Sequence, residues 1–201
     1  VNVEIPTAHK MIWDDFRVVE NWTLKGSSGF NPTLSVPEDA SAPVNMLFNY
    51  KSARSPYVQF AREAPIYSRP DTIRIPMHTD AIFSKIYATV RANNAIQGIN
   101  ITIEPNQVGD VTLDIPVEEC FGTDVAIYPL HFELVKMFLN TSTEVGERYV
   151  ALPGIQLLFG DADETDVDNV LSSQSTAKFI ENGQLFIQRN GKIYTVLGTQ
   201  K

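Results

Sequence analysis

Short runs in which apolar and polar residues alternate one by one are the feature of this sequence that most limits its fold. In Ile99–Glu104 three isoleucines alternate with three polar residues, and Val111–Ile115 repeats the pattern. Successive side chains of a β-strand point to opposite faces of the sheet, so each run predicts a strand with one buried face. Eight runs rich in β-branched and aromatic residues predict the strands Ile12–Val19, Val44–Tyr50, Tyr57–Ala61, Thr72–Pro76, Ser84–Arg91, Gln97–Glu104, Asp110–Ile115 and Tyr149–Phe159.

The segment Leu130–Leu139 fits either an amphipathic helix or a strand that contains a bulge. Predicted strands on both sides of it, together with the preceding Pro129, favour the strand. No long helical pattern interrupts the other strands, and a hydrophobic content of 43% is sufficient for a packed core. The sequence therefore predicts an all-β fold, an antiparallel β-sandwich of the jelly-roll type followed by a small β-hairpin or meander tail.

The pattern divides the chain into four segments. Val1–Pro6 alternates like the last strand of an upstream unit, and we expect the chain to be an excerpt from a longer protein. Five of the eight residues Asp161–Asp168 are acidic, a composition that cannot bury a core and is typical of a linker. The predicted segments are residues 1–11, the end of a preceding segment or a linker strand; 12–160, the sandwich; 161–177, the linker; and 178–201, the meander.

Three short strand-like runs separated by Asn-Gly pairs predict the C-terminal meander. The pairs are Asn182-Gly183 and Asn190-Gly191, and Asn-Gly tolerates positive φ at both central positions of a hairpin turn. A unit of this size is too small to be stable alone, so we expect it to pack on something else. The predicted strands are Phe179–Glu181, Leu185–Gln188 and Ile193–Leu197.

The charge of the sequence limits its partners. A formal net charge of −8 at pH 7 and a pI of about 4.8 predict no nucleic-acid partner, because phosphate binding needs a clustered positive surface. Between Lys51 and Arg91, however, seven residues are basic and three are acidic. They are either solvent-facing strand positions or a site for an anionic ligand. No run approaches about 18 consecutive apolar residues, so no membrane span is predicted.

The sequence carries no recognisable catalytic signature. It has no G-x-S-x-G, Gly-rich phosphate loop, H-E-x-x-H or C-x-x-C motif, and no catalytic residue is predicted. Glu118 and Glu119 would point to opposite faces of a strand, so they do not form the facing carboxylate pair of a glycosidase. Cys120, the one cysteine, is interpreted as a small buried apolar residue. An alternative is a hydrolase whose site is assembled from the distant residues His78, His131, Glu133 and Asp114.

The acidic run Asp161–Asp168 does not match a calcium loop of the EF-hand kind. Asp161 and Asp163 fit the first two ligand positions, but Asp166 stands where that loop needs a glycine. No cofactor is predicted. A structural calcium ion is compatible with the sequence, but the sequence does not identify its ligands.

Aromatic residues are the remaining indication of a ligand. Sugar-binding sandwiches stack pyranose rings on tyrosine or tryptophan, and polar side chains bind the hydroxyl groups. Trp13 lies within an apolar strand and is interpreted as a core residue. The aromatic candidates are Trp22, Tyr50, Tyr57, Tyr67 and Tyr128. The ligand-binding residues predicted from these and from the basic stretch are Trp22, Arg54, Tyr57, Arg69 and Arg91.

Four stretches of the chain carry a resemblance to a known family. They are Lys51–Tyr57, Pro70–Ile75, Ile86–Asn94 and Tyr149–Ile155. Together they resemble the C-terminal, galactose-binding-like jelly roll of secreted phosphodiester glycosidase family proteins of gut bacteria. In those proteins a separate upstream domain carries out catalysis, so the family's activity is not carried over to any residue here.

The resemblance implies a non-catalytic accessory module of a secreted glycan-processing protein, located in the extracellular space, in the periplasm or at the cell surface. Its partner would be a glycan or a neighbouring catalytic domain. The resemblance also implies that a structural calcium ion is common in such domains. A further alternative is a purely structural or sorting unit, for which the acidic linker and the hairpin tail are the relevant features.

Overall fold

The computed structural model describes residues 9–160 in full and, from the rest of the chain, the backbone of three strands between residues 177 and 195. The chain divides into two compact units, of which one is Ala8–Gly160 and the other contains those three strands. The predicted upstream strand Val1–Pro6, the acidic linker and both Asn-Gly turns lie outside the described residues.

Residues 9–160 consist of strands joined by loops and three short helices. The strands are β1 His9–Asp14, β2 Thr23–Gly26, β3 Thr33–Ser35, β4 Val44–Tyr50, β5 Tyr57–Ile66, β6 Thr72–Thr79, β7 Phe83–Arg91, β8 Ile99–Ile103, β9 Gly109–Pro116, β10 Leu130–Leu139, β11 Gly146–Leu152 and β12 Ile155–Phe159. The helices are α1 Val117–Phe121 and the 3-10 turns Val19–Asn21 and Val125–Ile127.

These strands form two antiparallel sheets. The five-stranded sheet has the order β2-β5-β10-β7-β8. The seven-stranded sheet has the order β1-β12-β6-β11-β4-β3, and β9 pairs with the other edge of β6. Strand β6 pairs with β12 through its first residues and with β11 through its last ones, so β11 and β12 follow each other along one edge of β6. The predicted all-β antiparallel sandwich is confirmed.

One hydrophobic core joins the inner faces of the two sheets. Phe60 and Val135 of the five-stranded sheet are fully buried in the same cluster as Met46 and Ile75 of the seven-stranded sheet. In β4 every second residue from Val44 to Tyr50 is buried, as the alternation requires. Each large apolar side chain buried in this way stabilises the fold by about 1.5–3 kcal/mol. The core therefore uses one face of each sheet and leaves the other face to solvent.

Most of the predicted strands are confirmed with small shifts at their ends. Val44–Tyr50 has the predicted bounds, and Leu130–Leu139 is a strand whose register shifts between Phe132 and Leu134, which confirms the bulged strand. The predicted strand Tyr149–Phe159 is divided into β11 and β12, because Gly154 has φ of +124° and breaks the extended backbone.

Other local predictions are wrong. The strand predicted to run to Val19 ends at Asp14, and Phe16 takes a positive φ of 64°. Strand β1 pairs with β12 from His9 onwards, so it begins three residues before the predicted strand. Glu118 and Glu119 lie in the helix α1 and not on a strand. The short strands β2 and β3 have no counterpart among the predicted ones.

The C-terminal unit is a three-stranded antiparallel sheet. Its strands are β13 Ala177–Glu181, β14 Gln184–Arg189 and β15 Lys192–Thr195, with β14 in the centre. The predicted meander is therefore confirmed, with each strand starting one or two residues earlier than expected.

Candidate functional site

Three aromatic side chains share the solvent face of the five-stranded sheet. Phe138 of β10 lies opposite Tyr57 of β5 on one side and opposite Lys85 of β7 on the other. Tyr87 lies on β7 two residues after Lys85, diagonally across from Phe138. The residues between them along each strand, such as Val58 and Met137, are fully buried, so the three rings point outward. We call Tyr57, Tyr87 and Phe138 the aromatic face.

The rings of the aromatic face form a continuous group. The Phe138 centroid lies 6.1 Å from that of Tyr57 and 6.2 Å from that of Tyr87, and both ring pairs are tilted. These separations are in the range of favourable aromatic contacts. All three side chains are half-buried. The sheet therefore supports the rings from below and leaves part of each ring in contact with solvent.

Lys136 of β10 lies among these rings. Its Nζ is 3.9 Å from the centroid of Tyr57 and 5.1 Å from that of Phe138. A lysine ammonium at this distance is attracted to the electron-rich face of the ring. In the sheet register Lys136 lies between Gln59 and Tyr87, so it occupies the centre of the face.

Polar side chains border the aromatic face. The register extends the row of Lys136 to Lys25 of β2 and to Thr102 of β8. On the next row the Thr89 hydroxyl donates to Oδ1 of Asn100 at 2.7 Å. Hydroxyl, amide and ammonium groups therefore lie beside and between the aromatic rings, which is the composition of a site for a ligand that has both apolar and polar groups.

The other end of the same face is occupied by ion pairs. The guanidinium of Arg91 donates to Glu133 at 3.0 Å and to Glu63 at 3.2 Å. A cavity of about 690 Å³, lined in part by Glu20 and Arg62, lies beside this cluster. Because two carboxylates neutralise Arg91, its charge is used within the sheet.

A second concave region lies at the edge of the sandwich, next to α1. This cleft has a volume of about 820 Å³. The Arg69 guanidinium lies 5.5 Å from the Tyr128 ring, and burial raises the pKa of the Tyr128 hydroxyl. The carboxylates that line the cleft belong to Asp71, Glu118 and Glu119. The cleft thus offers one cation and one half-buried ring, with a surplus of negative charge.

The structure distributes the predicted ligand-binding residues over several places. Tyr57 belongs to the aromatic face, and Arg91 lies on the same sheet in the ion-pair cluster. Arg69 lines the cleft, and Arg54 is exposed in the loop between β4 and β5. Trp22 is 7% exposed and belongs to the core. The five residues therefore do not form one site.

Trp22 has a structural role that its sequence context does not reveal. Its ring packs against Phe16 at 4.5 Å between centroids, and its Nε1 donates to Asp14 at 3.1 Å. Arg62 forms an ion pair with Asp14 and lies 5.8 Å from the Trp22 ring. Both faces of the indole are thus in contact with protein, and no ring face is free for a sugar.

The other aromatic candidates lie in different parts of the sandwich. Tyr50 is 1% exposed and lies in the core, whereas Tyr67 is 79% exposed in the loop after β5. Tyr128 lines the cleft. Trp13 packs half-buried against Phe132, as its interpretation as a core residue requires.

Sequence reasoning missed Tyr87, Phe138 and Lys136. All three lie in strands that were predicted, and the alternation within each strand already placed them on the polar face. What the sequence does not contain is the register that joins β5, β10 and β7, because these pairings are long-range.

The basic stretch from Lys51 to Arg91 does not form a single site. Arg62, Arg74 and Arg91 are each paired with carboxylates of other strands. Lys85 lies at the margin of the aromatic face, with Nζ 6.0 Å from the Tyr87 centroid.

The residues of the alternative hydrolase site are not brought together. His78 and Asp114 lie on the outer face of the seven-stranded sheet, and His131 and Glu133 belong to the five-stranded sheet. Asp114 forms a two-point ion pair with Arg74, at 2.8 and 2.7 Å, so its carboxylate is already in use. The proposed assembly of these four residues is wrong.

No metal site or membrane span is found in the part of the chain that the structure describes. Among residues 9–160 no three histidine, cysteine, aspartate or glutamate side chains are grouped so as to hold a metal ion. None of the described helices has the length and apolar character needed to cross a bilayer. Cys120 is half-buried, and burial together with the nearby Glu119 raises the pKa of its thiol.

Comparison with known proteins gives similar structures but no family. No protein-family model matches the chain, and no curated protein matches its sequence. The family 11 carbohydrate-binding module of the cellulosomal cellulase Lic26A-Cel5E of Clostridium thermocellum is 15% identical, with a TM-score of 0.46, over 77% of this chain and 96% of its own. TmCBM61 in complex with β-1,4-galactotriose is 11% identical, with a TM-score of 0.46, over 72% of this chain and 93% of its own.

A third similar structure is a mutant of a family 29 carbohydrate-binding module, which is 16% identical with a TM-score of 0.39 over 77% of this chain and 94% of its own. These neighbours are carbohydrate-binding modules with a β-sandwich fold. At these identities and TM-scores the likeness establishes neither a shared family nor a shared ligand.

Proposed function

We propose that this domain binds carbohydrate on the aromatic face of its five-stranded sheet. The observation that carries the proposal is the group of three outward rings, Tyr57, Tyr87 and Phe138, which spans two adjacent rows of the sheet and is bordered by polar side chains. A pyranose ring has an apolar C–H surface and a polar edge of hydroxyl groups. A group of exposed aromatic rings with polar neighbours complements both parts of such a ring.

The three outward rings are not part of the hydrophobic core of the sandwich. The core is complete without them, since the inner face of each strand is occupied by buried apolar residues such as Phe60 and Ile86. Contiguous apolar groups on the outer face of a sheet mark a binding surface more often than single scattered ones do. The ring cluster is therefore better explained by a ligand than by stability.

The proposal includes the wider setting of the domain. We place it as a non-catalytic accessory module of a secreted glycan-processing protein, and the resemblance to the phosphodiester glycosidase proteins supports this setting. The separation of His78 and Asp114 from His131 and Glu133 supports the non-catalytic part. The cleft beside α1 is a weaker ligand site, because its only half-buried ring, Tyr128, already contacts Arg69.

The test is affinity electrophoresis through gels that contain a soluble polysaccharide. The panel consists of mixed-linkage β-glucan, β-1,4-galactan, xylan, polygalacturonate and dextran sulfate. We expect at least one polymer to retard the protein, and Tyr57→Ala, Tyr87→Ala and Phe138→Ala each to weaken that retardation about 10-fold, because each removes one stacking ring.

Tyr149→Ala is the matched control, because Tyr149 stacks on His78 at 6.2 Å and belongs to the other sheet. It should leave retardation unchanged. If no polymer retards the protein, carbohydrate binding is wrong, and docking to a neighbouring catalytic domain or a purely structural role takes its place. Equal loss in Tyr149→Ala would show that the aromatic face is not the site.

A further inference from the structure

Three lysines lie at the aromatic face, and two of them contact its rings rather than a carboxylate. Lys25 and Lys136 lie on either side of Gln59 in one row of the sheet, and Lys85 lies opposite Phe138 in the next row. Lys25 and Lys85 are exposed. Within residues 9–160, which the structure describes in full, none of the three lies within 4.0 Å of a carboxylate.

The arginines of the same unit behave differently. Arg62, Arg74 and Arg91, all on strands, are each held by at least one carboxylate, and Arg91 by two. The guanidinium groups of these strands are thus neutralised by carboxylates within the fold. The ammonium groups at the aromatic face have no such partner among the described residues and can bind an anionic group of a ligand.

Lys136 links this charge to the rings. Its ammonium rests 3.9 Å from the Tyr57 centroid, so a sugar that stacks on Tyr57 displaces it. Displacement by a neutral sugar removes a cation–π contact and offers the ammonium only hydroxyl groups. A sugar that carries a negative substituent at its edge gives the displaced ammonium a charged hydrogen-bond partner, which is stronger than a neutral one.

We propose that the aromatic face selects glycans that carry an anionic substituent, a carboxylate, sulfate or phosphate, which Lys136, Lys25 and Lys85 bind. The inference rests on the proposed function, since the rings must bind the sugar for the lysines to bind its substituent. The sequence has a formal net charge of −8, which opposes unspecific adsorption of polyanions.

The experiment compares three pairs of polymers that differ in charge and share a backbone. They are polygalacturonate and its methyl ester, dextran sulfate and dextran, and phosphomannan and mannan. Dissociation constants are measured for the full chain by affinity electrophoresis at constant ionic strength. We expect the charged member of at least one pair to bind at least about 5-fold more tightly, and the pair that shows this identifies the substituent.

Lysine variants assign the preference to the face. Lys136→Gln and Lys25→Gln should each lower the preference for the charged polymer, measured as the ratio of the dissociation constants of the neutral and charged partners, about 2- to 5-fold. Lys10→Gln is the matched control, because Lys10 is an exposed lysine of β1 in the other sheet. Thermal unfolding of each variant confirms that it is folded.

The outcomes separate the two proposals. If neutral and charged members bind equally in all three pairs while Tyr57→Ala still weakens binding, the preference for anions is wrong and carbohydrate binding stands. If the preference is present but Lys10→Gln reduces it as much as Lys136→Gln does, the lysines of the aromatic face do not carry it. If no polymer binds, the proposed function itself fails.

Discussion

The Asp14 carboxylate joins the end of β1 to three other residues. Its Oδ1 accepts from the backbone N–H of Phe16 at 2.7 Å and from Nε1 of Trp22 at 3.1 Å. Its other oxygen pairs with the guanidinium of Arg62, and the Asp14 side chain is 11% exposed. One carboxylate therefore ends β1, fixes the positive φ of Phe16 and orients two aromatic side chains of the core.

We expect Asp14→Asn to lower the free energy of unfolding by about 2 kcal/mol, because it leaves the partly buried Arg62 without its counter-charge. Urea denaturation measures the change. Asp15→Asn is the control, since Asp15 is more than half exposed and its contact with Arg17 is 3.8 Å long. It should change stability by less than about 0.5 kcal/mol. Equal effects of the two substitutions would contradict the role given to Asp14.

At the scale of the element, alternation predicts strands well and strand breaks poorly. The run Val44–Tyr50 has the predicted bounds because four apolar side chains alternate with outward ones along it. The break after Asp14 depends on hydrogen bonds to Trp22 and Phe16, which a local pattern does not contain. Strand β3 has three residues, too few for alternation to be recognised.

The same limit applies to the candidate site. Tyr57 was predicted as a ligand residue, and Phe138 and Tyr87 lie in strands that were also predicted. Their proximity depends on the register in which β10 pairs with β5 and β7, which is set by contacts between residues far apart in sequence. Burial of Trp22 depends in the same way on long-range contacts with Phe60 and Phe132.

The turn between β11 and β12 requires a glycine, and its replacement should lower the stability of the sandwich. Gly154 has φ of +124°, and a Cβ added there would lie 3.0 Å from the carbonyl oxygen of Asp14. We expect Gly154→Ala to lower the free energy of unfolding by about 2–3 kcal/mol, from backbone strain and from this close contact. Urea denaturation measures this decrease in the free energy of unfolding.

Gly122 provides the matched comparison for that substitution. It also has a positive φ, of +82°, but a Cβ there meets nothing within 4 Å. Gly122→Ala should therefore cost about 1 kcal/mol, from backbone strain alone. A cost for Gly122→Ala as large as that for Gly154→Ala would show that the close contact contributes nothing.

At the scale of the whole sandwich, the two outer faces differ in kind. The outer face of the seven-stranded sheet carries polar pairs such as Arg74 with Asp114 and His78 with Asp110. The outer face of the five-stranded sheet carries the three rings, with ion pairs confined to the end that holds Arg91. Both sheets pack against one core through their inner faces, and the outer faces differ in the aromatic rings on which the proposed carbohydrate binding rests.

The most direct test of this account is a nuclear magnetic resonance titration of the full chain with an oligosaccharide of the polymer that retards it most. The account predicts that amide shift changes concentrate in β5, β7 and β10 around Tyr57, Tyr87 and Phe138. Shift changes centred on the cleft of Arg69 and Tyr128, or on the outer face of the seven-stranded sheet, would contradict it.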